Sequence, residues 1–462
     1  MTELPQGWIK AGLSDLANIV MGQSPPSNTY NNSKHGLPFF QGKAEFGALY
    51  PTVKKYCSVP LKVAQAGDIL ISIRAPVGPT NLCAEQCCIG RGLAAIRPLG
   101  DIPNHFLLYY LRSIEPWLSE QGTGSTFSAI SKGDLEQIDL PVPPINEQRR
   151  IVAKLEKLLS HVDAAQARLA TIPRTLDRFR QSVLRAACSG RLTADWRERK
   201  QPKSADDLTL SDGFPTTWLN TTLGKVADIV DPNPSHRYPS YEDGSVPILS
   251  TQEFSGLNDW EISKAKLVPS SFYDERNRAN GFFDDDIVFA RKGRLGLARR
   301  PPRIPRYTFS HTIFLVRANG IAISEFLLWY LRQEVCVSWL LSEMNSNTGV
   351  PTLGKAFLSQ LPVAVPPIAE QQEIVRGIEA LFKTANALEA RYRTAKAHVD
   401  KLTQSILAKA FRGELVPQDP TDEPASVLLE QIRKRSASEK GRSRPTGKSS
   451  KRKTATAATV RR

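Results

Sequence analysis

The 462-residue sequence contains no apolar run near the roughly 18–20 residues that a bilayer-spanning helix needs. Its N-terminus lacks the basic-then-apolar order of a secretory signal. Histidine is scarce, six in all and scattered singly, without metal spacing or an evident nucleophile partner. Cys83, Cys87 and Cys88 lie close together, so a metal site is conceivable, but no histidine stands at ligand spacing, and reduced cytoplasmic thiols are the expected state. The motifs of catalysis are missing too. Asp231-Pro232-Asn233-Pro234 only mimics the Asp/Asn-Pro-Pro-aromatic motif of amino-methyltransferases. Gly447-Lys448-Ser449 resembles a phosphate loop, but Arg442 stands where its upstream glycine belongs. A non-catalytic, metal-free chain is expected.

Acid is nearly absent from the C-terminus. Residues 433–462 hold twelve Lys or Arg against Glu439 alone, which accounts for +11 of the net +15. This polar segment is expected to be disordered from about residue 433. The rest of the chain is only about +4, so any specificity for nucleic acid must come from placed residues rather than bulk charge.

What the chain does contain is itself, twice. PPINEQRRIV at 143–152 returns as PPIAEQQEIV at 366–375, with seven of ten positions identical. FLLYYLR at 106–112 returns as FLLWYLR at 326–332, and LPQGW at 4–8 as FPTTW at 214–218. The offset holds at 223 from Pro143 to Leu192, but drifts from 210 to 220 before that. Two globular units of variable length therefore each carry a spacer of fixed length.

After each Pro-Pro the pattern becomes a heptad. Ile151, Leu155, Leu158, Val162, Ala165, Leu169, Ile172, Leu176, Phe179 and Val183 form one apolar series. Ile374, Ile378, Leu381, Ala385, Leu388, Tyr392, Ala395, Val399, Leu402 and Ile406 form the other. The prolines mark helix starts, Glu147 and Glu370 fall in the dipole-favoured first turn, and Gly190 and Gly413 mark the ends. Connectivity predicts that the helices pair antiparallel with one unit at each end. Pro173 predicts a kink, or alternatively a break, in the first helix.

Within the units, GDILISIRAPVG at 67–78 and DDIVFARKGRLG at 285–296 align as an acid, an apolar strand and a basic turn, with Arg74 opposite Lys292. Arg91 and His311 follow in equivalent loops, and Gly/Thr-rich loops at 122–131 and 347–355 are of a kind that meets phosphate through backbone N–H groups. The candidate DNA-contacting residues are Arg74, Arg91, Thr123, Ser125, Arg291, Lys292, Arg294, His311 and Thr348. Candidate junction and partner-docking residues are Pro143, Pro144, Glu147, Gln148, Pro366, Pro367, Glu370 and Gln371.

The doubled unit-plus-helix with PPxxEQxxIV at each junction closely resembles the specificity subunit of type I restriction–modification systems, over roughly residues 1–415. The resemblance implies an α+β fold with two similar mixed α/β target recognition domains at opposite ends of a long antiparallel two-helix coiled coil. The domains would span 1–142 and 214–365, the spacer helices 143–190 and 366–413, the linker 191–213 and the C-terminal extension 414–462. It implies a double-stranded DNA target in two halves, two methyltransferase subunits and two motor-endonuclease subunits as partners, and S-adenosylmethionine, ATP and Mg2+ bound by those partners rather than by this chain. The competing readings are the recognition subunit of a related restriction system and a coiled-coil scaffold holding two protein-binding heads.

Overall fold

The computed structural model describes residues 4–121, 129–200, 210–211, 213–241, 244–342 and 352–442. The chain divides into two compact units, Met1–Arg168 with Ala395–Arg462, and Leu169–Thr394.

In the first unit a four-stranded antiparallel sheet forms from β1 (Ala17–Met21), β2 (Ile69–Ser72), β3 (Thr80–Leu82) and β4 (Leu93–Pro98), in the order β1-β4-β2-β3. In the second unit β5 (Ala227–Val230), β6 (Ile287–Ala290), β7 (Ala298–Arg299) and β8 (Ile313–Ala318) take the same order, β5-β8-β6-β7. Registers match as well: Ile96 stands opposite Ile19 and Ile69, and Val316 opposite Ile229 and Ile287. The interior strands β2 and β6 are short apolar runs buried on both faces, so they lack polar alternation.

A second sheet in each unit contains one parallel pair, Phe39 with Cys88 and Ile248 with Thr308, but its size differs. It has five strands in the first unit and three in the second. The second unit also carries a helix at Ser270–Asn280 without a like-placed helix in the first. The two copies thus share one sheet and diverge in the other.

Helices α1 (Asn104–Ser113) and α3 (Ser324–Leu331) hold the FLLxYLR segments, whose aromatic and leucine side chains are buried. Helices α2 (Ile145–Cys188) and α4 (Ile368–Phe411) each run 44 residues, about 66 Å at 1.5 Å per residue. Helix α2 passes through Pro173 without a break.

The apolar stripe of these helices is buried in part. Ile151 and Leu155 share a core with Leu407, Ala410 and Phe411 in the first unit, and Val183, Leu184 and Ala187 with Ile374, Ile378 and Phe382 in the second. Between them Val162, Leu176 and Ala385 are also buried, but Phe179 is 39 % exposed, Leu388 49 % and Leu402 41 %. The continuous buried seam expected from the heptads is therefore not observed.

Helix α5 (Ala425–Arg442) corrects the expectation of disorder from residue 433. Ala425, Leu428, Leu429 and Ile432 form one apolar stripe that enters the first unit's core, and the helix continues from that anchor. The remaining tail, 443–462, lies outside the described residues.

One buried carboxylate organises each shared sheet. Asp68, 2 % exposed, takes a bidentate pair of hydrogen bonds from Arg97 Nε and Nη2 at 2.9 and 2.8 Å. Asp286, 1 % exposed, takes the same pair from Arg317 at 2.7 and 2.9 Å. In each unit the acid before one strand and the arginine near the end of another form an ion clamp across the sheet. Replacing Asp286 with Ala removes the counter-charge of the part-buried Arg317 guanidinium and leaves it only the Asn280 and Gly281 carbonyls as acceptors. Urea denaturation should register a loss of about 2–4 kcal/mol, and a loss below about 0.5 kcal/mol would show that the clamp does not hold the sheet.

Candidate nucleic-acid interface and helix junctions

Strand β2 ends at the turn bearing Arg74, and β6 at the turn bearing Lys292. Each turn is stitched to the residues that follow the Gly/Thr-rich loop: Arg74 bridges Ala129, and Lys292 bridges Thr352. The Ile130 N–H donates to the Ile73 carbonyl at 3.0 Å, and the Leu353 N–H to the Arg291 carbonyl at 2.9 Å. The sequence alignment of these turns thus corresponds to one shared geometry. Thr123, Ser125 and Thr348, on the loops themselves, lie outside the described residues.

In the first unit the Arg91–Gly92 turn lies beside the basic turn, because the Ile73 N–H donates to the Gly92 carbonyl at 3.0 Å. Arg74 and Arg91 are both exposed, and neither guanidinium has a partner among the described residues. Two free cations side by side can meet phosphate or a guanine edge.

The second unit is built differently. Arg291 occupies the position of buried Ile73. Its Nη1 donates to Asp231 at 2.7 Å, its Nε to the Leu353 carbonyl at 3.2 Å, and its guanidinium carbon sits 4.2 Å from the Phe314 ring centroid. With a side-chain exposure of 11 %, Arg291 braces the loop from inside, which corrects its assignment as a DNA contact. Arg294 is exposed, but its Nη1 donates to the Phe254 carbonyl at 2.6 Å. Lys292 keeps its ammonium without a partner among the described residues.

His311 sits over this site. Its backbone N–H donates to the Tyr238 hydroxyl at 2.9 Å, so that hydroxyl is free to donate to Nδ1, with which it makes a short contact. The proton of the neutral ring then belongs on Nε2. Burial pushes the His311 pKa down, and the neighbouring His236, Lys292 and Arg291 lower it further. The ring is a neutral hydrogen-bonding group rather than a cation, suited to a base edge more than to a phosphate.

At the junctions, an early strand of each unit pairs antiparallel with the strand leading to Pro-Pro: Ile9–Gly12 with Asp139–Val142, and Leu219–Thr222 with Pro362–Val365. Just before those early strands stand Trp8 and Trp218. Trp8 Nε1 donates to Glu147 at 3.0 Å, and Trp218 Nε1 to Glu370 at 3.1 Å. Beside them Gln148 and Gln371 donate to the carbonyls of Pro143 and Pro366 at 3.0 and 2.8 Å. All four Glu and Gln side chains are at most 1 % exposed. This corrects their reading as partner-docking groups: they turn inward and lock each helix to its own globular domain.

The two locks differ. Glu370 is completed by Thr193 Oγ1 at 2.7 Å and by a short ion pair to Arg197, both from the segment after α2. At Glu147 one carboxylate oxygen has no partner, while Arg150 pairs instead with Asp422 at 2.7 Å, in the segment after α4. Burial pushes the Glu147 carboxyl up, against the opposing pull of Trp8 and Arg150. The carbonyl of Gln371 accepts from the Ile323 N–H at 2.7 Å. The aligned residue in the first unit is Pro103, which has no N–H, and Gln148 Oε1 is accordingly unsatisfied. Sequence reasoning missed Trp8, Trp218, Thr193 and Arg197, although the recurrence of tryptophan in LPQGW and FPTTW was the available signal.

Among the described residues no group of His, Cys, Asp and Glu could hold a metal ion. The six cysteines are free and buried, with Cys83 and Cys87 sulfurs 3.2 Å apart. Among the described residues no helix is long and apolar enough to cross a membrane.

Two equivalent domains, each with a basic turn bridged to Ala129 or Thr352 and each locked to a long helix, define a doubled recognition protein. Comparison with known proteins agrees. The type I restriction modification DNA specificity domain matches residues 5–174 and again 215–396. The chain belongs to this family, as a specificity subunit that recognises a bipartite DNA target and is not itself a catalyst. It is 29% identical to the EcoDI specificity subunit of Escherichia coli over 467 residues, covering 95% of this chain and 98% of that one. A match to the MjaX specificity subunit of Methanocaldococcus jannaschii is higher, 46%, but covers only 34% of this chain and 37% of that one. The crystal structure of the HsdS subunit from Thermoanaerobacter tengcongensis, 20% identical, shares the fold with a TM-score of 0.55, covering 89% of this chain and 98% of that one.

The unequal locks give opposite expectations for one conservative change. Glu370→Gln leaves Arg197 without its counter-charge and should cost about 3–5 kcal/mol in urea denaturation. Glu147→Gln keeps an acceptor for Trp8 and removes a buried charge, so stability at neutral pH should stay within about 1 kcal/mol of wild type. Because the Glu147 pKa is raised on folding, its contribution is full below the unfolded carboxylate value and fades as pH rises through the folded one. That slope should vanish in Glu147→Gln; an unchanged slope would mean that another group carries it.

Proposed function

We propose that each unit reads one half of a duplex target through its basic turn, with Arg74 and Arg91 in the first unit and Lys292 and His311 in the second. The supporting observation is the identical stitching of Arg74 and Lys292 to the end of the Gly/Thr-rich loop in two otherwise diverged domains. The sets differ in chemistry, two free guanidinium groups against a lysine and a neutral histidine, as two unlike half-sites require. Helices α2 and α4 act as an antiparallel spacer between the units, and their half-exposed Phe179, Leu388 and Leu402 suit packing against partner helices. Those partners are two methyltransferase subunits, with two motor-endonuclease subunits joining the larger assembly. S-adenosylmethionine, ATP and Mg2+ belong to the partners, and the complex works in the cytoplasm.

Arg74→Ala and Lys292→Ala should each cost about 1–3 kcal/mol of binding to cognate duplex and relax the requirement at one half-site only. Unchanged affinity and unchanged methylation pattern in both variants would exclude the basic turns as readers.

Inserting one heptad at equivalent points of α2 and α4 tests the spacer. Seven residues lengthen the pair by about 10 Å, or roughly three base-pair steps of 3.4 Å. Methylation mapping should return both half-sites with a longer unspecified gap. An active variant with an unaltered gap would refute the spacer role.

A further inference from the structure

The ends of the two long helices are not equivalent. At a constant offset of 223, Phe411 near the end of α4 corresponds to Cys188 near the end of α2. In the first unit the Phe411 ring fills the space beside α1, with its centroid 5.5 Å from Phe106 and 5.1 Å from Tyr110. The second unit keeps both neighbours, as Phe326 and Tyr330, yet offers only a thiol where the ring would be. A cavity of about 240 Å³ lies there, lined by Cys188, Tyr330, Cys336 and Trp339, among others. It borders a second cavity of about 260 Å³, with which it shares Arg185, Gln333 and Val335. Val335 is 61 % exposed. Arg185 is exposed, and its guanidinium has no partner among the described residues.

We infer that this cleft is a docking site for an aromatic side chain of a partner protein, carried on a segment with an acidic residue beside it to meet Arg185. The aromatic half follows from the other copy, where a phenyl ring packs on Tyr110, the counterpart of the Tyr330 that lines this cavity together with Trp339 and Phe214. The acidic half follows from Arg185, which lines both cavities with no ion pair among the described residues, whereas Glu334 lines only the second. A buried ring in an otherwise polar contact is the usual anchor of a protein interface. The first unit supplies this anchor from its own chain; the second leaves it to be filled from outside. The inference does not depend on how either unit contacts DNA.

Titration of the full-length chain by ligand-observed NMR tests it, with toluene, 3-phenylpropanoate and 3-phenylpropanamide as probes. Toluene should saturate one site per chain. Cys188→Phe should abolish that binding, because the wall then supplies the ring. Phe411→Cys should raise the stoichiometry to two, by opening the matching cavity in the first unit. Arg185→Gln should weaken 3-phenylpropanoate about threefold to fivefold, to the level of the amide, and leave toluene unchanged. An acetylated Asp-Phe-Asp tripeptide amide should bind more tightly than its Gly-Phe-Gly counterpart. No saturable toluene site in the wild type would overturn the proposal, as would full binding by a folded Cys188→Phe chain. Toluene binding with no response to either peptide would overturn the partner-segment assignment. Phe411→Cys and the wild-type titration remain decisive should Cys188→Phe fail to fold.

Discussion

A tryptophan N–H donating to a buried glutamate is the interaction on which each half of the molecule depends. Trp8 and Trp218 stand at the entrance of an early strand of a domain, and Glu147 and Glu370 in the first turn of a long helix. A domain joined to a helix through Pro-Pro alone would be free to swing about the connection. The hydrogen bond, fully removed from water, gives the connection one geometry, since a buried carboxylate that loses its donor is left in a medium that cannot solvate it. Pairing of the early and last strands closes the same junction from the other side.

The chain after each helix returns to complete a lock, and it does so by a glycine that no other residue could replace. Gly190 and Gly413 adopt φ of +77° and +76°, and a Cβ at either would come within 2.5 Å of a proline, Pro215 or Pro5. Beyond that point the copies diverge. Thr193 and Arg197 reach Glu370, whereas the positions 223 residues later are Val416 and Pro420, which carry no donor. Glu147 therefore keeps an unpartnered oxygen and a raised pKa, and the compensating contact shifts to Arg150 and Asp422. Duplication preserved the carboxylate while its surroundings drifted, so one buried charge is neutralised by an arginine and the other is tolerated as a strained acceptor.

The periodicities were legible in the sequence and the directions of side chains were not. The 3.5-residue repeat and the flanking Pro-Pro and glycine mark both long helices, and α2 runs through Pro173 because a proline in a long helix costs one hydrogen bond without necessarily ending it. The basic turns were aligned from GDILISIRAPVG and DDIVFARKGRLG, and the same bridges appear at Arg74 and Lys292. Sequence could not tell that Arg291 points inward to Asp231 while Lys292, one residue on, does not. Nor could it tell that Glu147, Gln148, Glu370 and Gln371 face the core, since the same residue types on the first turn of a helix are commonly solvated. Helix α5 was missed because the basic residues from 433 onward mask the apolar stripe at 425–432 that anchors it.

What varies and what stays constant follows from what each part must satisfy. The shared sheet carries the Asp–Arg clamps and meets the helix junction, so its register is repeated position for position. The second sheet meets no junction, and it differs in strand number between the copies. The long helices are held to 44 residues in both copies, although several of their apolar positions are only half covered. Burial within the chain cannot explain that equality, because residues such as Leu388 and Leu402 gain little from it. A length requirement imposed from outside the fold can: if two half-sites must be met at one separation, both helices must keep their number of turns, while the domains at their ends remain free to change what they read.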